Sequence, residues 1–332
     1  KAFIARTYSK VYKLEIVDLP EPVVNDNEVL IQIHAASINL IDSKLKSGEF
    51  KLILPYKLPL ILGHDVAGVV TKTGYKVSRF KVGDEVFAQP AVLKIGTLAE
   101  YIAINETNVA LKPQNISMEE AASIPLVGLT AWQALIEKAN LKKGQKVFIQ
   151  AGSGGVGTFA IQLAKHVGAT VATTTSETNF DLVKRLGADV VIDYKRDDFE
   201  TMLKDYDVVL NSQDTKSLEK SLRILKPNGK VISISGPPDV GFAKQMNTPW
   251  FLKFIMKLLS FGINRKAKRL GVDYSFLFMR ANGNQLTEIA SLINNGAIKP
   301  VLDKVFTFEQ ANEALTYVEA GRTKGKVVVK VK

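Results

Sequence analysis

The spacing of hydrophobic positions changes near residue 117 of this 332-residue chain. Before that point, apolar runs are short and turn residues separate them, which is typical of strands in a small barrel or sandwich. The predicted strands cover residues 29–34, 66–71, 85–88 and 98–104. At Ser117, the capping-box spacing to Glu120 predicts the start of a short helix, and residues 126–139 follow as a longer helix.

From residue 146 onwards, apolar strand patterns alternate with helical patterns. The predicted strands cover residues 147–150, 170–174, 190–192, 208–211 and 231–235. This alternation predicts a doubly wound parallel sheet, and therefore an α/β protein. Because the first strand of that sheet begins deep in the chain, the strand-rich region before it is expected to be a separate domain. The chain closes with an amphipathic helix at 308–320 and a strand at 326–331.

A glycine-rich turn joins the first of these parallel strands to a helix. Gly152, Gly154 and Gly157 have the G-x-G-x-x-G spacing, with an apolar strand before them and helical periodicity after them. Gly152 is expected to allow the tight turn, Gly154 to admit a pyrophosphate, and Gly157 to let the helix pack closely. The N-terminus of the helix favours phosphate because it offers unpaired N–H groups and a positive dipole end. The predicted dinucleotide-binding turn comprises Gly152, Ser153, Gly154, Gly155, Val156 and Gly157. The alternative is a glycine-rich loop without a ligand.

Composition narrows the possible chemistry. The chain has no cysteine, which excludes disulfides, thiolate nucleophiles and cysteine-ligated metal sites. The formal net charge is +11, but the basic residues are spread along the chain, so a solvated surface is favoured over a nucleic-acid site. The N-terminal residues resemble a strand and not a signal peptide, so a cytoplasmic protein is expected.

Residues 248–269 depart from the strand–helix alternation. Large apolar side chains from Trp250 to Leu259 share one helical face, and four basic residues follow between Arg265 and Arg269. The apolar stretch is shorter than the roughly 20 residues that cross a bilayer. Such a helix can contact an anionic membrane surface peripherally. The alternatives are a helix that covers the substrate cleft and a helix buried in a dimer contact.

Several motifs together resemble the zinc-free quinone oxidoreductase branch, which includes zeta-crystallin, of the medium-chain dehydrogenase/reductase superfamily. They occur in the expected order over nearly the whole chain and comprise residues 36–42, 63–68, 82–86, 128–132, the glycine turn, 186–194 and 321–326. The resemblance implies a GroES-like β-barrel catalytic domain at 1–122 and 297–332, and a Rossmann cofactor-binding domain at 123–296. It also implies an active site in the cleft between the two domains, and a homodimer.

The resemblance also bears on metal chemistry. Zinc alcohol dehydrogenases of the superfamily carry cysteines about where Asn39 and Val127 stand, and only the histidine position is kept, as His64. One imidazole does not make a zinc site, so no metal is expected. Without a Lewis acid, hydride transfer needs an acceptor that is already electrophilic, such as a quinone or an α,β-unsaturated carbonyl.

The predicted cofactor is NADPH. The family match places Thr175 and Ser176 at the end of the second parallel strand, where small hydroxyls leave room for a 2′-phosphate, and Tyr194 beside the adenosine phosphate. Two residues favour NADH over NADPH as the cofactor. Glu177 could hold a ribose 2′-hydroxyl, and Asn179 replaces a lysine that helps to bind the 2′-phosphate in some relatives.

Other site residues come from the family match alone. Asn39 corresponds to the residue that reaches the nicotinamide and the substrate, with Asp42 either orienting it or fixing the loop. Thr130 corresponds to a threonine beside the nicotinamide, and Phe278 to the loop that covers it. Arg322 is expected either to reach the cofactor or to face water. Each of these residues also has an ordinary structural interpretation, as a turn, capping, core or surface residue.

Two functions follow from this pattern. The first is an NADPH-dependent, zinc-independent oxidoreductase of quinones or enones. The second is a non-enzymatic NADPH-binding protein, either crystallin-like or RNA-binding, because relatives resembling zeta-crystallin have such roles. Nucleic acid is not favoured as a partner, because no RNA-binding motif or base-stacking platform is present.

Overall fold

The computed structural model describes residues 1–246 and 249–332. Its strands are β1 Ala2–Ala5, β2 Glu15–Val17, β3 Glu28–Ile38, β4 Leu60–Ile61, β5 Asp65–Thr73, β6 Glu85–Ala88, β7 Tyr101–Asn105, β8 Val109–Leu111, β9 Lys146–Ile149, β10 Thr170–Thr175, β11 Val190–Asp193, β12 Tyr206–Asn211, β13 Leu225–Ser233, β14 Asp273–Phe276, β15 Leu302–Thr307 and β16 Lys326–Lys330. Its α-helices are α1 Leu40–Ser47, α2 Met118–Ala122, α3 Pro125–Trp132, α4 Gly155–Val167, α5 Phe180–Arg185, α6 Phe199–Met202, α7 Thr215–Arg223, α8 Val240–Gln245, α9 Trp250–Arg269, α10 Gly283–Asn294 and α11 Ala311–Glu319. A π-helical segment, Gln133–Lys138, continues α3, and short 3₁₀ turns occupy Glu106–Asn108, Glu177–Asn179 and Phe308–Gln310.

The chain divides into two compact units. The first comprises Lys1–Leu129 and Arg280–Lys332, and the second comprises Thr130–Met279. The second unit therefore ends earlier than the sequence-based boundary at residue 296. The reason is α10, which packs on β8 of the first unit. The Asn115 side chain donates to the Ile293 carbonyl at 2.9 Å and so ties the end of this helix to the same unit.

Two β-sheets form the framework of the first unit. The larger has the strand order β15-β16-β3-β5-β6-β8, with β7 also paired to β3, and the smaller has the order β2-β1-β4. Strand β3 is the centre of this unit, because it pairs with β5, β7 and the C-terminal strand β16. Most of its eleven residues are buried. The C-terminal segment thus completes the strand-rich domain, as the resemblance implied.

The second unit is built on one parallel sheet with the order β11-β10-β9-β12-β13-β14. The order reverses between β9 and β12, and such a reversal is where doubly wound sheets bind their ligands, at the carboxyl ends of the strands. Apolar side chains on the central strands make the core, among them Phe148, Val209 and Val231, each fully buried. The predicted doubly wound sheet is confirmed.

The local predictions differ in how well they match the elements. The capping box of α2 is confirmed, because Ser117 and Glu120 each bond the other's backbone N–H, at 2.9 and 3.1 Å. The strand predicted at 98–104 is shorter in the structure, where β7 begins only at Tyr101. Strand β14 ends at Phe276, and the residues that follow it, including Phe278 of the expected covering loop, are irregular chain.

Candidate cofactor and substrate residues

The glycine turn lies between β9 and α4 in the second unit. Its left-handed residue is Ala151, with a φ of 51°, and not Gly152. Gly152 therefore does not supply a left-handed conformation to the turn, and close packing accounts for the absence of a side chain at this position. A Cβ atom on Gly152 would lie 2.1 Å from the Thr173 hydroxyl oxygen, and that hydroxyl is itself held by the Ile149 carbonyl at 2.6 Å.

The other two glycines of the motif differ in what surrounds them. A Cβ on Gly157 would lie 2.3 Å from the Ala151 carbonyl oxygen and 2.7 Å from the Gly152 Cα, both backbone atoms of the turn. A Cβ on Gly154 would meet only the Ala151 oxygen, at 3.3 Å. Gly157 is thus required by the fold of the turn itself. The protein around Gly154 leaves space for a further atom, which is the space that an approaching phosphate needs.

The amino end of α4 is open to a ligand. Gly154 is its N-cap residue and supplies no side-chain cap to the first turn. The helix has 13 residues, so its aligned peptide dipoles place partial positive charge at this end. Uncapped N–H groups and this dipole together suit a pyrophosphate. The residues present therefore fit a dinucleotide.

Hydroxyl and amide groups connect the turn to the end of β10. The Thr175 hydroxyl donates to Ser153 Oγ at 2.8 Å, and Asn179 Nδ2 donates to the same oxygen at 3.3 Å. Asn179 Nδ2 also lies 3.2 Å from Ser176 Oγ. The structure thus brings Ser153, Thr175 and Ser176 together, but it directs the Thr175 proton at Ser153. Within residues 1–246 and 249–332, the buried Asn179 Oδ1 has no hydrogen-bond donor.

A cation that the sequence reasoning missed lies beside this cluster. Arg196 Nη2 is 2.9 Å from Glu177 Oε2, and Arg196 Nε is 3.8 Å from Asp193 Oδ2. The carboxylate of Glu177 is therefore already paired. Tyr194 lies between these residues in the chain, with its backbone N–H 3.4 Å from the Thr175 carbonyl and its side chain exposed. Arg196 lies two residues after Tyr194, the last residue of the motif at 186–194. This short separation was the sequence signal that could have identified Arg196.

A second polar network lies at the carboxyl ends of β9, β12 and β13. Asn211 Nδ2 donates to Gln150 Oε1 at 2.7 Å, and Ser233 Oγ donates to Asn211 Oδ1 at 2.6 Å. Gln150 Nε2 in turn donates to Ser221 Oγ at 3.0 Å. All four residues are buried. The sequence reasoning did not select them, although they lie next to the reversal of strand order, where doubly wound sheets bind their ligands.

In the first unit, Asp42 organises the loop that carries Asn39. Its Oδ2 accepts the Asn39 backbone N–H at 2.8 Å, and its Oδ1 accepts the Gly63 N–H at 3.1 Å. His64 Nδ1 lies 2.7 Å from the same Oδ1. Asp42 is fully buried. Of the two roles expected for Asp42, these contacts correspond to fixing the backbone, and they give His64 a partner within the protein.

The Asn39 side chain is held by two residues from distant parts of the chain. Its Nδ2 donates to Asp65 Oδ2 at 2.8 Å, and its Oδ1 accepts a hydrogen bond from Lys326 Nζ. Lys326 Nζ also lies 3.3 Å from Asp65 Oδ2. All three residues are buried, and Asp65 is not exposed at all. Two further donors complete the coordination of Asp65, the Ser37 hydroxyl at 2.5 Å and the Leu126 N–H at 2.6 Å.

This arrangement, the Asn39–Asp65–Lys326 cluster, fixes both ends of one carboxamide. A buried carboxylate is costly unless donors surround it, and here a lysine ammonium supplies the compensating charge. Asn39 is therefore preorganised, with one Nδ2 hydrogen engaged by Asp65 and the other available for a ligand oxygen. The sequence reasoning selected Asn39 but neither of its partners, because they are 26 and 287 residues away.

Tyr56 is a further buried hydroxyl of the first unit. Burial raises its pKa to about 12, although a hydrogen bond from the Leu93 N–H works in the opposite direction. The distance from the Leu93 nitrogen to the Tyr56 oxygen is 3.4 Å. The phenol therefore holds its proton throughout the neutral range.

Three predicted residues have their own local surroundings. Thr130 is buried within α3. Phe278 follows β14, and its ring packs on Phe242 with 5.1 Å between ring centroids. Arg322 belongs to the first unit and is exposed after α11.

Metal ligands do not gather in the part of the chain that the structure describes. Among residues 1–246 and 249–332, no three His, Cys, Asp or Glu side chains are placed to hold a metal ion. At the two positions where the superfamily's zinc enzymes have cysteines, Asn39 joins the cluster described above and Val127 is a buried apolar residue.

Comparison with known proteins agrees with this description. The family described as alcohol dehydrogenase GroES-like domain matches residues 25–114, and that described as zinc-binding dehydrogenase matches residues 186–329. The chain is 37% identical to 2-methylene-furan-3-one reductase of Solanum lycopersicum, over 96% of this chain and 75% of that protein. It is 34% identical to the chloroplastic NADPH-dependent alkenal/one oxidoreductase of Arabidopsis thaliana, over 99% of this chain and 79% of that protein.

Among solved structures, the chain is similar to the quinone oxidoreductase from Coxiella burnetii. The TM-score is 0.84 and the identity 30%, over 100% of this chain and 99% of that one. The strand order is that expected for two such domains, and the relatives above cover 96–100% of this chain. The protein therefore belongs to the zinc-free quinone oxidoreductase branch of the medium-chain dehydrogenase/reductase superfamily.

Proposed function

We propose that this protein is an NADPH-dependent reductase that transfers hydride to quinones or α,β-unsaturated carbonyls. The observation that carries the proposal is the glycine turn, where Gly154 has free space beside it and α4 begins without a side-chain cap. Both features are adapted to a pyrophosphate group. The relatives named as alkenal/one and quinone oxidoreductases support the class of acceptor.

Each cluster has a distinct part in this proposal. The reduced nicotinamide, when bound, supplies the hydride. The backbone N–H groups of the first turn of α4 bind the phosphates. Asn39 donates its free Nδ2 hydrogen to the carbonyl oxygen of the acceptor, where negative charge develops. Asp65 and Lys326 act as positioning residues, because they hold Asn39 and do not need to touch the substrate.

The preference for NADPH over NADH is a further part of the proposal. An NAD-specific site needs a free carboxylate for the ribose 2′-hydroxyl, and the carboxylate of Glu177 is already paired with Arg196. The guanidinium adds positive charge near the hydroxyls of Thr175 and Ser176, which suits a 2′-phosphate. Asn179 is uncharged and so cannot supply the positive charge of the lysine that some relatives have at this position. We therefore assign Arg196 as the cation that binds the 2′-phosphate.

Turnover with a panel of acceptors tests the function. The purified protein is mixed with NADPH and with quinones, enals, enones and matched saturated aldehydes, and oxidation of NADPH is followed. We expect turnover with quinones or enones and none with the saturated aldehydes. NADPH binding without turnover on any acceptor would favour the alternative of a non-enzymatic nucleotide-binding protein.

Replacing Asn39 sharpens this test. Asn39→Ala should lower kcat about 10²-fold, the usual effect of removing one donor to a developing oxyanion, while the Kd for NADPH stays within twofold (about 0.4 kcal/mol). An unchanged kcat would remove Asn39 from the chemistry and leave the cofactor assignment intact.

Assembly and location complete the proposal. We propose a homodimer, because β14 lies at the edge of the parallel sheet and an open edge can pair with the same strand of a second copy. Sedimentation equilibrium of the purified chain tests this, and a monomer at micromolar concentration would contradict it.

A cytoplasmic location stays a prediction, and the plant relative compared above is chloroplastic by name.

A further inference from the structure

The apolar and polar sides of α9 are reversed with respect to those of an ordinary surface helix. The residues it buries are Met256, Ser260, Ile263 and Ala267, at helical spacing along its inner face. The opposite face carries much larger apolar side chains, and these are exposed. Trp250 is 80% exposed, Phe254 57%, Leu258 59% and Phe261 58%. Surface helices of soluble domains normally turn such residues to the core.

The exposed face is larger than scattered surface residues would produce. Phe251, Ile255 and Leu259 are each about half exposed and flank the four residues above. The outer face of α9 is therefore a continuous apolar strip along its first twelve residues. Strips of this kind on a soluble protein mark a surface that contacts a partner or a membrane. None of the helices that the structure describes is long and apolar enough to cross a membrane.

The charge of the same helix decides between possible partners. Lys253 and Lys257 stand beside the apolar strip, and Arg265, Lys266, Lys268 and Arg269 follow it. The helix contains six basic residues and no acidic one. Lys266 is paired with Glu219 at 2.6 Å, whereas Lys268 and Arg269 are exposed at the end of the helix.

We propose that α9 is a peripheral docking surface for a membrane that contains anionic lipid. Trp250 and its apolar neighbours would enter the boundary between headgroups and acyl chains, and the lysine and arginine side chains would meet the lipid phosphates. A second copy of this chain is the poorer occupant, because it would bring the same six cations and no carboxylate on the helix to neutralise them. The predicted contact region began at residue 248. Thr248 lies outside the described residues, and the surface is defined by α9 alone.

Vesicle flotation tests the proposal independently of enzyme activity. The purified 332-residue chain is mixed with vesicles of phosphatidylcholine, or of phosphatidylcholine with phosphatidylglycerol, and centrifuged through a density gradient. We expect flotation with the anionic vesicles, little with the neutral ones, and release at high salt because the Debye length shortens. No flotation with anionic vesicles, or equal flotation with both kinds, would overturn the proposal.

Variants identify the residues that bind. Trp250→Ser combined with Phe254→Ser should abolish flotation, and Lys268→Gln should weaken vesicle affinity about fivefold, which corresponds to the roughly 1 kcal/mol contributed per basic side chain at an anionic surface. Lys142→Gln is the matched control, because it removes an exposed charge of the same unit far along the chain from α9. Unchanged flotation in the Trp250 and Phe254 variant would overturn the proposal.

Two controls separate this proposal from its rivals. Thermal unfolding and NADPH titration check that each variant is folded, because all the altered side chains are exposed and should not affect either. Sedimentation equilibrium checks self-association. If the Trp250 and Phe254 variant becomes monomeric and the parent protein does not float, the strip is a contact between copies and the lipid proposal fails.

Discussion

The two units hold their polar clusters in opposite ways. In the first unit, the Asn39–Asp65–Lys326 cluster is closed, because Asp65 accepts four hydrogen bonds from protein donors and every member of the cluster is buried. In the second unit, the glycine turn is open, because α4 lacks a side-chain cap and Gly154 has space beside it. The first arrangement stabilises one side chain in one position. The second leaves backbone donors for a ligand.

The two arrangements depend on different kinds of sequence pattern. An open site needs only a local motif, since neighbouring residues of one turn supply both the space and the donors. A closed site needs residues from several strands, because a buried carboxylate must be surrounded by donors to be tolerated. Changes to the closed cluster should therefore reduce stability and catalysis together. Changes to the open turn can be chosen to affect binding alone.

The largest effect is expected from breaking the closed cluster. Lys326→Met removes the only cation among the described neighbours of Asp65 and leaves that carboxylate buried without a compensating charge. The expected loss is about 3–5 kcal/mol in the free energy of unfolding, measured by urea denaturation. Lys330→Met, on the same strand but exposed and paired only at the surface with Glu119, is the control and should cost less than about 1 kcal/mol. A similar small loss for both variants would contradict the closed-cluster description.

The two glycines of the open turn should respond differently to the same methyl group. Gly157→Ala places a Cβ against backbone atoms at 2.3 and 2.7 Å and should cost about 1–3 kcal/mol of stability. Gly154→Ala meets one atom at 3.3 Å and should change stability by less than about 0.5 kcal/mol. It should nevertheless raise the Kd for NADPH at least about tenfold, or about 1.4 kcal/mol, because the methyl group occupies the approach of the pyrophosphate.

Thermal unfolding and fluorescence titration measure the two quantities separately. If Gly154→Ala binds NADPH as tightly as the parent protein, the space beside Gly154 is not where phosphate approaches, and the glycine turn loses its assigned role.

The same contrast explains what the sequence could and could not predict. The glycine turn, the alternating strands and the capping box at Ser117 depend on contacts between near neighbours in the chain, and their residue types are informative by themselves. Lys326 looks like any surface lysine in sequence, since its burial depends on β16 pairing with β3 from the other end of the chain. The packing contact of Gly152 could not be predicted for a related reason. Its neighbour Thr173 is on β10, and only the parallel pairing of β9 and β10 brings them together.

Cofactor preference gives a smaller test at the rim of the open site. Arg196→Gln should leave the carboxylate of Glu177 unpaired, which repels a 2′-phosphate and offers an acceptor to a 2′-hydroxyl. The Kd for NADPH should rise about tenfold (about 1.4 kcal/mol), and that for NADH should fall or stay constant. Glu177→Gln, which retains the cation, is the matched control and should keep the preference for NADPH. Parallel titrations with the two cofactors measure the ratio, and an unchanged ratio in Arg196→Gln would exclude Arg196 from the 2′-phosphate site.

The smallest expected effect concerns Asp207, a buried carboxylate of the second unit. Like Asp65, it is paired with donors from the protein itself. Burial raises its pKa, but hydrogen bonds from Lys226 and the Lys146 N–H outweigh that effect and hold the pKa below its usual value. A depressed pKa contributes stability that is present above the unfolded value, about 3.9, and is lost as pH falls through the folded pKa. Asp207→Asn should therefore cost about 1–2 kcal/mol at pH 7, and the difference from the parent protein should shrink below about pH 4. Urea denaturation at several pH values measures this, with the exposed Asp197→Asn as control. A difference that stays constant down to pH 3 would mean that Asp207 stabilises the fold by packing and not by its charge.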